Sequence, residues 1–125
     1  MKSLSEKRLI VQCAINGEVA RFLLDTGASV GIINWRERKK YQIKVGGRFP
    51  HTLQGAGGEI DAYYCNTFVF YQARTIAQFL LADIDNVVES IKQETGITIQ
   101  GIIGLQQMKD TGIDIDANSN EITIE

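Results

Sequence analysis

The sequence holds a single histidine, a single proline and only two cysteines among its 125 residues. One histidine cannot seed a His-rich metal cluster, and His51 has no ligands of the right type near it in sequence. Cys13 and Cys65 lack any C-x-x-C spacing and fall in strand-like segments, so they read as two buried thiols. A disulfide between them is left open, although a chain of this size does not need one. Charge of one sign is missing too: 13 Lys and Arg stand against 15 Asp and Glu, for a net charge of −2. That removes the basic footprint of a nucleic-acid binder. No apolar run is long enough to span a membrane. The opening MKSLSEKRLIVQCAI does not look like a secretory signal, because its apolar part begins late and is interrupted by Gln12. A cytoplasmic location follows if Met1 is the natural start, and an exported one if a leader has been removed.

What is present is ordinary globular composition, 44% hydrophobic and 22% charged, at a length suited to one domain over residues 1–125. Twelve glycines punctuate many short apolar runs, which indicates an all-β class with one or two short helices. Leu9, Val11, Cys13 and Ile15 alternate on one face of a strand. Asn16-Gly17 is a strong hairpin turn, and Val19 to Leu24 is the return strand. Asn34 to Tyr41 reads as a short helix with capping-box spacing between Asn34 and Glu37; its charges, Arg36 to Lys40, form a solvated face. His51 to Cys65 reads as a mobile hairpin around Gly55-Ala56-Gly57-Gly58. Thr67 to Tyr71 and Thr75 to Ala82 are strand candidates. Asp85 to Thr95 reads as a helix with Asn86 and Glu89 at capping-box spacing, Gly96 past its end, and Val87, Val88 and Ile91 as its apolar stripe. Ile97 to Gly104 follows, and then a closing hairpin in which Ile113 and Ile115 alternate with Asp114 and Asp116, Asn118-Ser119-Asn120 makes the turn, and Ile122 and Ile124 close the chain.

Two catalytic signatures overlap in Phe22 to Ile33, FLLDTGASVGII: Asp25-Thr26-Gly27 after an apolar run, and Gly-x-Ser-x-Gly from Gly27 to Gly31. A serine nucleophile needs a base and a group to orient it. The only histidine is His51, and the only acid between Ser29 and His51 is Glu37, within the charged helix. The large parallel sheet of an α/β-hydrolase does not fit this length either. Ser29 is therefore expected to serve the turn, bonding its backbone. An isolated Asp-(Ser/Thr)-Gly is weak evidence, arising by chance in roughly one chain in twenty of this length. Here the context adds to it. Phe22-Leu23-Leu24 carry the aspartate on a buried strand, and a second apolar segment, Ile102-Ile103-Gly104, follows the glycine-rich hairpin.

These residues resemble the retropepsin-type aspartic proteases, the single-lobe relatives of the retroviral enzymes. The resemblance rests on Leu23-Leu24-Asp25-Thr26-Gly27-Ala28-Ser29, on Gln54-Gly55-Ala56-Gly57-Gly58, on Ile102-Ile103-Gly104-Leu105 and on the terminal hairpin, and it covers roughly residues 8 to 125. Retroviral members often carry an acid where this chain has Ser29, and the segment Asp85 to Thr95 is an addition to the compact retroviral form. The resemblance implies a closed acid-protease barrel of one lobe. It implies Asp25 as the catalytic residue, supported by Thr26, Gly27 and Ala28. It further implies Gly55, Ala56, Gly57 and Gly58 as a flap over substrate, and Ile102, Ile103 and Gly104 as packing beneath the active-site loop. No metal or other cofactor is implied.

Peptide hydrolysis by carboxyl groups needs one to activate water and one to protonate the substrate. A pair about 3 Å apart sharing one proton supplies both. The chain has the length of one lobe, and no other aspartate reads as sitting in a comparable setting. The partner implied is thus a second copy, related by a twofold axis that brings Asp25 face to face with its mate. The substrate is an extended peptide or protein. The alternative reading is the same fold used as a dimerisation or peptide-binding module. Asp114, Asp116, Asn118, Asn120 and Glu125 fall at EF-hand spacing, but Ser119 stands where glycine is required, so they read as the solvent face of a strand. Trp35, Tyr63, Tyr64 and Tyr71 read as packing residues.

Overall fold

The structure is a computed structural model that describes residues 2–55, 58–116, 118–119 and 121–125. Strand β1 (Ile10–Ile15) and β2 (Glu18–Asp25) form a hairpin, with Ile15 opposite Glu18. Asn16 (φ 49°) and Gly17 (φ 81°) fill the two-residue turn, both in the left-handed region that a type I′ turn demands. The remaining elements are β3 (Gly31–Asn34), β4 (Leu53–Gly55), β5 (Gly58–Ile60), β6 (Ala62–Tyr64), β7 (Val69–Tyr71), β8 (Arg74–Ile76) and β9 (Phe79–Ala82). Helix α1 (Asp85–Thr95), β10 (Gly101–Gly104), helix α2 (Leu105–Thr111), β11 (Ile113–Asp116) and β12 (Glu121–Ile124) complete the chain.

Eight strands make one curled sheet in the order β6-β9-β3-β10-β2-β1-β7-β8; β4 with β5, and β11 with β12, form separate hairpins. The fold is mainly β, as expected, and of its two α-helices among the described residues only α1 lies where a helix was expected. The sheet is a half-barrel rather than a closed one, ending at β6 on one side and β8 on the other.

Side-chain alternation divides the central strands between two cores. Phe22 and Leu24 of β2, Ile33 of β3 and Ile103 of β10 pack with Val11, Cys13, Phe79 and Leu81. Leu23, Ile32 and Ile102 point the other way, toward Ile10, Leu80 and Ile91 of α1. Strands covered on both faces need continuous apolar runs, and β3, β9 and β10 are buried throughout. Full burial of each such Ile or Leu is worth roughly 1.5–3 kcal/mol.

Several expectations are corrected. The segment from Asn34 to Tyr41 holds only a single 3₁₀ turn, Trp35–Glu37. The chain then bends back to bury Tyr41, whose hydroxyl donates to the Val19 carbonyl (2.7 Å). Asn34 caps no helix. Its fully buried amide donates to Asp85 Oδ1 (2.8 Å) and accepts from the Ile84 N–H (3.0 Å), fastening β3 to the start of α1. Helix α1 has its expected bounds, and Gly96 closes it at φ 77°. Its cap position is Ile84, however, so Asn86 does not cap it. The segment Thr75 to Ala82 is broken in two because Gln78 is left-handed (φ 67°). Helix α2 was not anticipated: it has seven residues and a face too short for apolar periodicity to register. Both cysteines are free; Cys13 is buried and Cys65 half-buried.

Candidate active site

β2 delivers Asp25 to the edge of the core. Leu23 and Leu24 are buried, Asp25 is half-buried, and Thr26 and Gly27 are exposed. The carboxylate folds the turn on itself: Asp25 Oδ1 accepts from the Gly27 N–H (2.9 Å), and the Asp25 carbonyl accepts from the Ala28 N–H (3.1 Å). This is an Asx-type turn, for which a short acidic side chain followed by glycine is well suited. One carboxylate oxygen is anchored in this way.

The two strands that flank the loop are not neighbours. β10 lies between them, parallel to β2 and antiparallel to β3. In that register Ile102 faces Leu23, Ile103 faces Leu24 and Gly104 faces Asp25. The segment thus runs directly beneath the loop, and the Leu105 N–H donates to the Ala28 carbonyl (3.1 Å). The approach is close enough to require glycine. A Cβ on Gly104 would lie 2.9 Å from the Ala28 carbonyl oxygen and 3.1 Å from the Val30 backbone.

Gly55 and Gly58 pair across the β4–β5 hairpin, with Leu53 opposite Ile60. Gly58 has φ 110°, a conformation that favours glycine. Ala56 and Gly57 lie outside the described residues. Ser29 is exposed, and among the described residues its hydroxyl makes no hydrogen bond, so the turn does not use it as expected. His51 packs its ring against Phe49 (5.6 Å) and is not hydrogen-bonded to Ser29. Ser29, Val30 and Gly31 instead form one wall of a trough of about 530 Å³, walled elsewhere by Phe49, Tyr64, Phe68 and Leu80. Phe68 and Tyr64 leave about half their surface exposed (52% and 47%) at its rim.

Two features escaped sequence reasoning. Asp-Thr-Gly occurs a second time, at Asp110-Thr111-Gly112. There it ends α2: Gly112 is the left-handed cap (φ 74°), the Thr111 hydroxyl donates to the Gln107 carbonyl (2.7 Å), and Asp110 accepts from Gln106 (2.8 Å). The signal that separates the two copies is what precedes them, Phe-Leu-Leu against Gln-Met-Lys. The second feature is Gln107, a nearly buried amide beside the loop. Its spacing three residues after Gly104, at the third position of a helix, was the available clue. Among the described residues no group of three His, Cys, Asp or Glu side chains gathers as a metal site.

A curled half-barrel with an Asp-Thr-Gly turn threaded by a later strand is the retropepsin-like fold. Residues 11–106 match the family model described as aspartyl protease, and the chain belongs to that family. Similar solved structures include the EIAV protease complexed with the inhibitor HBY-793, at 21% identity and TM-score 0.66, covering 93% of this chain and 99% of that one. Another is the retroviral protease-like domain of Ddi1 from Leishmania major, at 24% identity and TM-score 0.62, covering 94% of this chain and 88% of that one. No curated protein matches the sequence. The family match stops just inside α2, so the rest of that helix and the β11–β12 hairpin lie beyond it.

Proposed function

We propose that this protein is an aspartic endopeptidase that works as a twofold homodimer, with Asp25 of each copy as the catalytic residue. The observation that carries the proposal is the presentation of Asp25: half-buried at the end of a core strand, with one oxygen held by Gly27 N–H and its loop underpinned by Gly104. One chain supplies one such carboxyl. Across the axis the two share a proton. The ionised one takes a proton from water, whose oxygen attacks the scissile carbonyl carbon, and the protonated one gives its proton to the carbonyl oxygen. Collapse of the tetrahedral intermediate then breaks the C–N bond as the amine is protonated. In this reading Thr26 hydrogen-bonds across the axis, Gly27 lies under the substrate backbone, Ala28 supports the loop, and Ile102 and Ile103 pack it.

The substrate is an extended peptide that adds as a strand, with its side chains in alternating pockets. The apolar trough beside Val30 supports a preference for apolar side chains. The hairpin that carries Gly55, Ala56, Gly57 and Gly58 closes over the peptide and excludes water.

The test is cleavage of an unstructured protein from pH 4 to 7, with and without pepstatin, beside Asp25→Asn, with the mass of the active species measured by sedimentation. Asn preserves the turn but cannot act as the base, so activity should fall by about 10²–10⁴-fold. Cleavage that survives Asp25→Asn overturns the assignment of the catalytic residue, and an active monomer overturns the dimer. Peptide binding and dimerisation with no cleavage at any pH would leave a binding module instead.

A further inference from the structure

We propose that Gln107 is a positioning residue that sets the geometry of the Asp25 loop. Its amide is nearly buried and joins three separate segments. Its Oε1 accepts from the Gly104 N–H (2.9 Å), at the position paired in register with Asp25. Its Nε2 donates to the Ala77 carbonyl (2.7 Å) and, at 3.4 Å, to the Gln78 carbonyl. The same amide covers Gly31, where any Cβ would overlap it. The orientation is dictated by the partners, because an N–H must meet the oxygen and carbonyls must meet the NH₂.

The loop from Asp25 to Gly31 is therefore tied to one side chain twice, through Gly104 beneath it and directly at Gly31. In the first tie Gln107 fixes Gly104, which lies against the Ala28 and Val30 backbone. In the second it seats the first residue of β3. Its third contact stabilises the left-handed Gln78, where the sheet breaks beside the trough. Loop position and groove wall are thus tied to a common post. Glycine supplies no side chain at Gly104, so only the Gln107 half of a capping box is formed here, and the same bond that starts α2 fixes the residue beneath the loop. A shared proton between two carboxyls is sensitive to their separation, and a displacement of about 1 Å can cost roughly 10²-fold in rate.

Gln107→Met keeps the length and removes the hydrogen bonds. The expected result is kcat lowered roughly 10- to 100-fold, with KM nearly unchanged, in protein that stays folded at the assay temperature. Gln107→Glu adds a second handle. A protonated carboxyl can accept from Gly104 and donate to Ala77, whereas a carboxylate faces two carbonyls. The groups it bonds or touches, the Gly104 N–H, the Ala77 and Gln78 carbonyls and Gly31, do not titrate, and the Cys65 thiol that lines the same trough is pushed up by burial, away from the acidic range. Activity of Gln107→Glu relative to wild type should therefore be near full at low pH and fall as pH rises. This also keeps the test open if the Met variant does not fold.

The inference rests on the proposed function only for its rate readout. The Gly27 amide, bonded to Asp25 Oδ1 and untouched by Gln107, reports the loop directly by NMR and hydrogen exchange. In Gln107→Met its resonance should shift and its protection drop. An unchanged Gly27 amide together with unchanged kcat, or a pH-independent ratio for Gln107→Glu, overturns the positioning role. If the wild-type protein cleaves nothing, the proposed function fails and the Gly27 amide alone decides this inference.

Discussion

Gly104→Ala tests whether the close threading of β10 under the Asp25 loop is as tight as its geometry indicates. The backbone at Gly104 is extended, at φ −88° and ψ 171°, a conformation open to alanine. Any penalty must then come from contact. The added methyl would sit 2.9 Å from the Ala28 oxygen and 3.1 Å from Val30 backbone atoms, and backbone cannot rotate away as a side chain can. Overpacking of this kind costs about 1–3 kcal/mol. At this chain length roughly 4 °C of Tm accompanies each kcal/mol, so Tm should fall by about 4–12 °C. The loop that must shift carries Asp25, so activity should drop by more than the lost stability explains. Gly47→Ala is the control, since nothing lies within 4 Å of its added methyl. Thermal unfolding followed by circular dichroism, with cleavage of an unstructured protein at a temperature where both variants are folded, reads both quantities. Equal Tm and equal activity for the two variants would refute the tight-threading picture.

Two further outcomes follow from buried polar groups. Asn34→Leu removes both bonds of a fully buried amide and leaves the Ile84 N–H without an acceptor, so unfolding in urea should show a loss of about 1–3 kcal/mol with an unchanged slope. Burial pushes the Cys13 thiol up to about 12 from an ordinary value of 9.0. The unfolded chain therefore releases this proton at lower pH than the folded one. The corresponding stability is present in full below pH 9.0 and is lost as pH rises toward 12, at up to about 1.4 kcal/mol per pH unit. Urea unfolding of the protein and of Cys13→Val between pH 8 and 11 should show a shallower alkaline decline in the variant.

Features governed by neighbours in sequence were readable from sequence. Asn16-Gly17 forms its turn because two consecutive residues must accept positive φ, and α1 stops at Gly96 for the same reason. Alternation marked β1, the hairpin turn marked β2 as its return strand, and the apolar run before Asp25 showed that this strand is buried. Capping was misread at Asn86, which lies inside α1 because the cap position is Ile84, and at Asn34, whose side chain within reach of a distant backbone N–H takes the partner that packing offers. Asn34 found Ile84, which is far away in sequence and adjacent in space.

Local pattern determined the hairpins, the core strands and the turn chemistry of Asp25, since these depend on φ, side-chain period and immediate neighbours. The preceding residues already separate the two identical Asp-Thr-Gly tripeptides, but only the tertiary structure threads β10 beneath the first and leaves the second at the end of a helix. It alone inserted β10 between β2 and β3 and brought Gln107 to Gly104 and Ala77. Those outcomes depend on which segments meet when two apolar cores close, and no stretch of chain encodes that meeting by itself.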